Sequence, residues 1–521
     1  MHLAALLLLT FFPQETPPPV AIENTTAVVS PGTEIKNATI VLRNGLIHSV
    51  GTEGDVPADA KVIDGKGLVV YAGFIDSYTT LGQKKDSKSD SVSFEGRDPD
   101  FTRQPLYGMQ DANRKGVRPS YTIAPRLKLS EEVLSSWRKA GFTSVLSAPE
   151  GAYLSGQSAL FSLSGAPLRE CLILPNGPMQ GSFSASGKGY PGTLMGMFAH
   201  VRQLFHDARA YGESWNLYRA APRGKIRPPY DPTLEAMQDI LNRKTSVLFR
   251  ANSENEIRRA VRLSKELGFQ LMIAGGGSSW KAVDVLKGIP VFLTLDLPEE
   301  PKEDEDKPKR LLEEEKQNWK DRVGCAASLE AAGVPFVFTT VGSSPGEALE
   351  SIHKLKLSHD VALRALTVTP AKLFGMTEMG RIRPGMMAHL TILSGRLGEE
   401  KTQVRYVISD GWLSEFPARK KGEGKAEVDV TGIWKGSTGS FEWTMDLKQS
   451  GTGITGTINS RYGEMKVTGD VEGTSVTITG SMEGSEISIE ASIKKGKMTG
   501  TLTSPFGSNP FTARKPEKNN D

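Results

Sequence analysis

A chain of 521 residues exceeds one compact core and calls for two or three units at roughly 150 residues per domain, fewer if a barrel is present. Its 63 basic and 60 acidic side chains nearly cancel, so no global field steers it toward an anionic partner, and nucleic acid is excluded. Cys171 and Cys325, far apart and with no second pair, cannot complete a zinc cluster or a disulfide framework.

Met1 to Phe12, MHLAALLLLTFF, is an apolar stretch of signal-peptide length, too short to cross a membrane, and the proline-rich PQETPPPV follows it. Residues 1–19 therefore read as a signal and leader, which implies export to a periplasm or the exterior. The stretch carries no Lys or Arg and no A-x-A cleavage site, so a buried N-terminal segment is the competing reading. No other run has the length of a transmembrane segment.

From Ala27 to Val70, apolar and polar residues alternate in short bursts broken by Gly, Pro and Asn, as in ATIVLRNGLIHSVG and KVIDGKGLVV. That pattern predicts a small β unit over residues 20–70. After Gly73 short apolar runs (FTSVLSAP, SVLFRA, FQLMIAGG, IPVFLTLD, VPFVFTT) alternate with amphipathic stretches such as LSEEVLSSWRKAG and ENEIRRAVRLSKELG. Strands alternating with helices imply parallel pairing through right-handed crossovers, hence an α/β layer or barrel. Pro298 to Lys320, dense in mixed charge, predicts an exposed loop entering a solvated helix. Strand signals return in AHLTILSG and QVRYVISDGW, and the Lys/Glu/Gly-rich 419–428 reads as a linker. Residues 429–515 are rich in Gly, Thr and Ser, with short alternating strands and an internal echo, TGTINSRYG against TGTLTSPFG. They predict an all-β barrel or sandwich whose apolar positions form a core, with a ligand held inside a small barrel as the alternative.

At the end of the first β unit the chain reads GLVVYAGFIDSYTTLG, and near the α/β region's end LTVTPAKLFGMTEMGRIRPGMMAHLTILSG. Both resemble the amidohydrolase superfamily, in its imidazolonepropionase-like branch, where the first barrel strand carries G-F-I-D-x-H-x-H. The resemblance covers roughly Ala27 to Trp412. It implies a (β/α)8 TIM-type barrel over 71–375, with a composite β-sandwich from flanking segments 20–70 and 376–418. The active site of such a barrel lies at the C-terminal strand ends. In the active family, histidines and an aspartate there hold zinc or another divalent metal, which activates a water to hydrolyse carbon-nitrogen bonds other than peptide bonds.

Carried over residue by residue, that ligand set is absent. Tyr78 and Thr80 stand at the strand-one histidines, Arg250 at the strand-five histidine, Gly275 at the strand-six histidine, and Val341 at the strand-eight aspartate. Register error does not rescue it: His48 and His389 fall in the β unit, His200, His206, His353 and His359 on or beside helices, and His2 in the leader. Gly and Val offer no donor, hydroxyls bind zinc poorly unless ionised, and a permanent guanidinium repels a cation while suiting a carboxylate or phosphate. No metal or other cofactor is therefore expected. Asp76 reads as ordering the strand-to-loop turn. The serines of AYLSGQSALFSLSG (Ser155, Ser158, Ser162, Ser164) lack a G-x-S-x-G elbow and a nearby histidine, and read as a tight loop.

Two functions remain open, beside a third in which the C-terminal β domain binds a polymer or envelope component and the barrel is its scaffold. One is a pseudoenzyme that binds a small anionic ligand, alone, as a homo-oligomer or beside an active relative. The other is an active C–N hydrolase with a rearranged or metal-free site.

Overall fold

The computed structural model describes residues 16–83, 117–151, 153–184, 193–301, 307–417 and 428–515, the last without the hairpin residues 439–440, 451–452, 461–462, 483–484, 495 and 505–506. The signal and leader expected at 1–19 thus lie almost wholly outside the described residues, as does the linker. Two compact units are present, Met1–Phe416 and Pro417–Asp521. No helix among the described residues is long and apolar enough to cross a membrane.

The first unit opens and closes on one eight-stranded sheet. Strands Leu390–Leu393, Val404–Ser409 and Trp412–Glu415 join Val69–Ala72, Val20–Ser30, Thr33–Arg43 and Leu46–Gly51, and Lys61–Asp64 pairs with Val20–Ser30. The two flanking segments meet where Leu390–Leu393 runs antiparallel to Val69–Ala72. Val20–Ser30 pairs Lys61–Asp64 through its first half and Val69–Tyr71 through its second, with register shifts between. A strand that changes neighbours at a bulge is how a sheet turns a sandwich corner. The expected two-sheet sandwich is in this way a single folded sheet, closed over Ile22, Ile40, Val70, Leu390 and Ile408.

The α/β region holds two sheets. In one, Phe74–Thr79 pairs parallel with Phe142–Ser147, followed by antiparallel Ala159–Ser162 and Leu172–Leu174. The other runs Phe336–Thr339, Val291–Thr294, Leu271–Gly275, Val247–Ala251 and Met179–Ser182, all parallel, and ends on antiparallel Leu154–Gln157. Alternate residues along these strands sort into two clusters, as the period of two demands. Ile75, Leu146, Leu160, Leu248, Met272, Phe292 and Val337, from both sheets, share one inner cluster. Phe74, Val145, Phe249, Ile273, Leu293 and Phe338 join the cluster that takes in the helices.

Among the described residues these strands form two sheets and not one hydrogen-bonded ring of eight parallel strands. The serine-rich stretch expected to be a tight loop is two strands, Leu154–Gln157 and Ala159–Ser162, parted only by Ser158 and pairing one sheet each. Too few residues separate Ser147 from Leu154 for a crossover helix, so the chain returns antiparallel.

The amphipathic stretch after strand Val247–Ala251 forms helix Glu254–Leu267, and its ends explain its length. Ser253 and Glu256 make a reciprocal capping box at the start, and Gly268 closes the end with a left-handed φ of 82°. Ile257, Ala260, Val261, Ser264 and Leu267 are its buried stripe. Helix Lys309–Val323 buries no residue, as its charge pattern predicts.

The second unit is a closed antiparallel barrel of eight strands in sequence order, from Gly432–Thr438 to Gly507–Arg514, which pair with each other to close it. Trp434, Trp443, Met445, Ile478, Ile489 and Phe511 pack together in the interior, so these apolar positions are core. The echoed Thr-Gly pairs have a steric cause. A Cβ on Gly456 or Gly500 would lie 2.0 Å from the carbonyl oxygen of Asp446 or Glu490 on the neighbouring strand, so each strand can approach its neighbour that closely only as glycine.

Candidate functional site

Five parallel strands end on one side of their sheet, and their inner-face residues there are Gln180 and Ser182, Arg250, Ala274, Thr294 and Val341. Register sets Ser182 beside Arg250, and Arg250 beside Ala274. Arg250 shares the parity of inner Leu248, is exposed, and makes no ion pair or hydrogen bond among the described residues. Its charge reaches the phenol of Tyr78, which also stands beside Gln180. Burial pushes that phenol up to about 12, with Arg250 pulling the other way and the Glu150 carboxylate adding to the rise, so it keeps its proton at neutral pH. Gln180 is only 3% exposed, and its Oε1 has no hydrogen-bond partner.

The other carried-over residues complete the ring of strand ends without adding a donor. Thr80 is half-buried beyond strand Phe74–Thr79, its carbonyl accepting the Gln83 N–H. Val341 packs its side chain on the inner cluster, while its carbonyl accepts from the Thr294 hydroxyl. Gly275 follows the parity of Ile273, so Ala274 holds the inner position. At a φ of 92°, Gly275 lies under the Asn252 amide, whose Oδ1 would be 2.0 Å from an added Cβ.

A divalent metal needs several lone-pair donors converging on one point. A protonated phenol, a guanidinium, a hydroxyl, a glycine and a valine do not supply them, so the residues present do not fit the group that the resemblance implies. Among the described residues no three His, Cys, Asp or Glu side chains are grouped to hold an ion.

Asp76 is completely buried and fully engaged. Its Oδ1 accepts the Thr340 N–H at 3.1 Å, and its Oδ2 accepts from Trp137 Nε1 at 3.0 Å and from the Thr340 hydroxyl. It pins the first strand to the end of strand Phe336–Thr339 and to helix Glu131–Lys139. Burial still pushes its carboxyl up to about 6, against those hydrogen bonds.

Sequence reasoning missed three groups here. Gln180 belongs to strand Met179–Ser182, too short and polar to give an apolar signal. Gln83 bridges two strand ends, donating to the Ala148 carbonyl at 2.6 Å and accepting from Glu150 N–H at 3.3 Å. Asp296, just past strand Val291–Thr294, lies against Gly342; partial burial raises its carboxyl while Arg322 opposes the shift.

The serines do meet a histidine, in the wrong place and order. Ser162 donates to Asp410 Oδ2, and His389 Nε2 lies 3.1 Å from Asp410 Oδ1. Burial works against the Asp410 charge, yet His389 and the Ser162 and Ser164 hydroxyls hold its carboxyl below the usual range. The carboxylate, not the imidazole, contacts the Ser162 hydroxyl, so His389 is not placed to take its proton. Ser162 also pairs with Ser144, at the start of strand Phe142–Ser147 and away from the strand ends.

No protein-family model matches the chain, and no curated protein matches it. Solved structures do. An amidohydrolase from Thermotoga maritima MSB8 superposes with a TM-score of 0.60 at 23% identity, over 76% of this chain and 100% of that one. The fold is that of an amidohydrolase. Less similar are a prolidase crystallised with N-methylphosphonate-L-proline (TM-score 0.44, 17% identity, 77% and 100% covered) and a Xaa-Pro dipeptidase with bound methionine (TM-score 0.44, 16% identity, 76% and 100% covered).

Proposed function

We propose that this chain uses the amidohydrolase fold to bind a small carboxylate- or phosphate-bearing ligand at its strand ends, without metal-dependent hydrolysis. The two α/β sheets are read as one distorted (β/α)8 barrel: Leu154–Ser162 links them on one side. On the other side the Thr339 hydroxyl donates to the Tyr78 carbonyl. The observation that carries the function is Arg250, an inner-face guanidinium without an acidic partner among the described residues, close to a protonated Tyr78 and to buried Gln180. A guanidinium binds carboxylate or phosphate through two parallel N–H donors, and a phenol O–H adds a third. The apolar stretch Met1–Phe12, read as a signal, supports work outside the cytoplasm, as a homo-oligomer or beside an active relative.

Titration calorimetry with acetate, succinate, N-acetylglycine and inorganic phosphate tests this. A hydrogen bond to a charged group contributes about 1.5–3 kcal/mol, so Arg250→Met should weaken the best ligand roughly 10- to 100-fold. Absence of saturable binding, or equal binding by Arg250→Met, overturns the proposal.

The second reading, a hydrolase with a rearranged site, rests on Asp296, a strand-end carboxyl with a raised proton affinity. It needs a second converging group, and Asp76 is sealed by its own donors. Turnover of dipeptides or N-acyl amino acids that Asp296→Asn abolishes would favour it.

A further inference from the structure

Outward-facing residues of the C-terminal barrel carry a row of cations that the strand-end site does not use. Lys494 pairs with Lys497, Lys497 with Arg514, and Arg514 with Lys435, so four basic side chains stand in direct register across four adjacent strands. Their neighbours Ile493, Met498, Ala513, Trp434 and Gly436 are buried, which fixes the four on the outer face. At ~4.8 Å between strands the row spans about 14 Å. None of the four makes an ion pair among the described residues. Like charges directly opposite each other destabilise a sheet, so an uncompensated row is a local cost of the kind that function retains.

The next row is built of hydroxyls. Ser492 pairs with Thr499, Thr499 with Thr512, and Thr512 with Ser437. Thr444 and Asn459 continue the cationic row beyond Lys435. An open cavity of about 660 Å³ lies against this face, lined among others by Lys435, Arg514, Thr512, Thr444 and Asn459. Glu442, opposite Ser437, is the acidic group on the cavity wall.

We infer that this face binds an acidic polysaccharide, a linear polymer carrying sulfate or carboxylate groups. The cations meet the anionic groups, and the hydroxyls and Asn459 exchange hydrogen bonds with sugar hydroxyls. Single-stranded nucleic acid is the less suited polyanion, because its recognition relies on exposed aromatic rings for base stacking. The cavity-lining aromatic, Trp443, is a buried core residue.

Binding of the full chain to heparin, to polygalacturonate and to oligodeoxythymidylate, followed by fluorescence anisotropy across a salt series, decides the matter. One polysaccharide binds, sulfated or carboxylated according to the source, and four contacts make its affinity fall about 50-fold between 50 and 200 mM salt. Lys435→Gln/Lys497→Gln/Arg514→Gln loses at least tenfold in affinity and most of the salt dependence. A variant with the same loss of charge elsewhere, Lys265→Gln/Lys287→Gln/Lys448→Gln, binds as the native chain does. So does the charge-preserving Lys435→Arg/Lys497→Arg/Arg514→Lys, which guards against a folding defect. The inference is overturned by no binding to either polysaccharide at 50 mM salt, by equal loss in the two neutralised variants, by loss in the charge-preserving one, or by tighter binding of the oligonucleotide.

Discussion

Replacing Asp76 by Asn separates the charge of a buried carboxyl from its hydrogen bonds. In the fold burial pushes this carboxyl up to about 6, against an ordinary 3.8, outweighing its hydrogen-bond donors. A folded pKa above the unfolded one means that the group favours the fold when protonated. Its contribution is intact below pH 3.8 and is lost as pH rises through about 6. About two pKa units correspond to about 3 kcal/mol lost once both states are ionised, of which about 1.6 kcal/mol is already lost at pH 5. Asn cannot titrate. It keeps an acceptor for the Thr340 N–H and loses one of the remaining bonds, a cost independent of pH. Wild type should therefore lose about 1.4 kcal/mol more than Asp76→Asn between pH 5 and pH 7.5, every other titrating group being common to both. Urea unfolding followed at the helical circular dichroism band reads the first unit, because the described residues of the second contain no helix. An identical difference between the two proteins at both pH values would refute the burial argument.

Trp137→Phe removes the Nε1–H that bonds Asp76 Oδ2, raising the Asp76 pKa further and costing about 1.5–3 kcal/mol at pH 7.5, where the carboxyl is ionised. The same pH-resolved unfolding checks it, with a smaller loss at pH 4. Gly275→Ala imposes a side chain at a φ of 92° and displaces the Asn252 amide, and should cost about 1–2 kcal/mol. A melting temperature equal to wild type would contradict the strand-end geometry. Gly456→Val in the C-terminal barrel puts a Cβ against the Asp446 carbonyl, and should lower the barrel's unfolding transition while leaving the helical signal of the first unit unchanged.

Much of the fold was legible where residues declare their period. The stripe of helix Glu254–Leu267 and the strands Val247–Ala251, Val291–Thr294 and Phe336–Thr339 all follow from apolar spacing. The charged helix Lys309–Val323 follows from its lack of any apolar stripe. Strands Leu154–Gln157 and Met179–Ser182 did not declare themselves, because serine, glycine and glutamine there are buried by neighbouring strands and not by their own hydrophobicity. The reversal of Leu154–Gln157 was inferable from chain length alone, since the link after Ser147 cannot hold a crossover helix. At the site, the sequence offered Arg250 and Tyr78 as candidates by resemblance alone. It could not find Gln180, whose meaning lies in an unpartnered buried oxygen, or the contact of Asp410 with both Ser162 and His389, which lie far from it in the chain.

The central claim is that the strand ends suit an anion and not a divalent cation. Elemental analysis for zinc, iron, nickel and manganese, on protein purified without chelator from metal-supplemented culture, tests it most directly. The account predicts well under one ion per chain, with Arg250→His no better loaded, since a single added imidazole does not complete a ligand set. One or more tightly bound ions per native chain would contradict it and would mean that other side chains hold a metal.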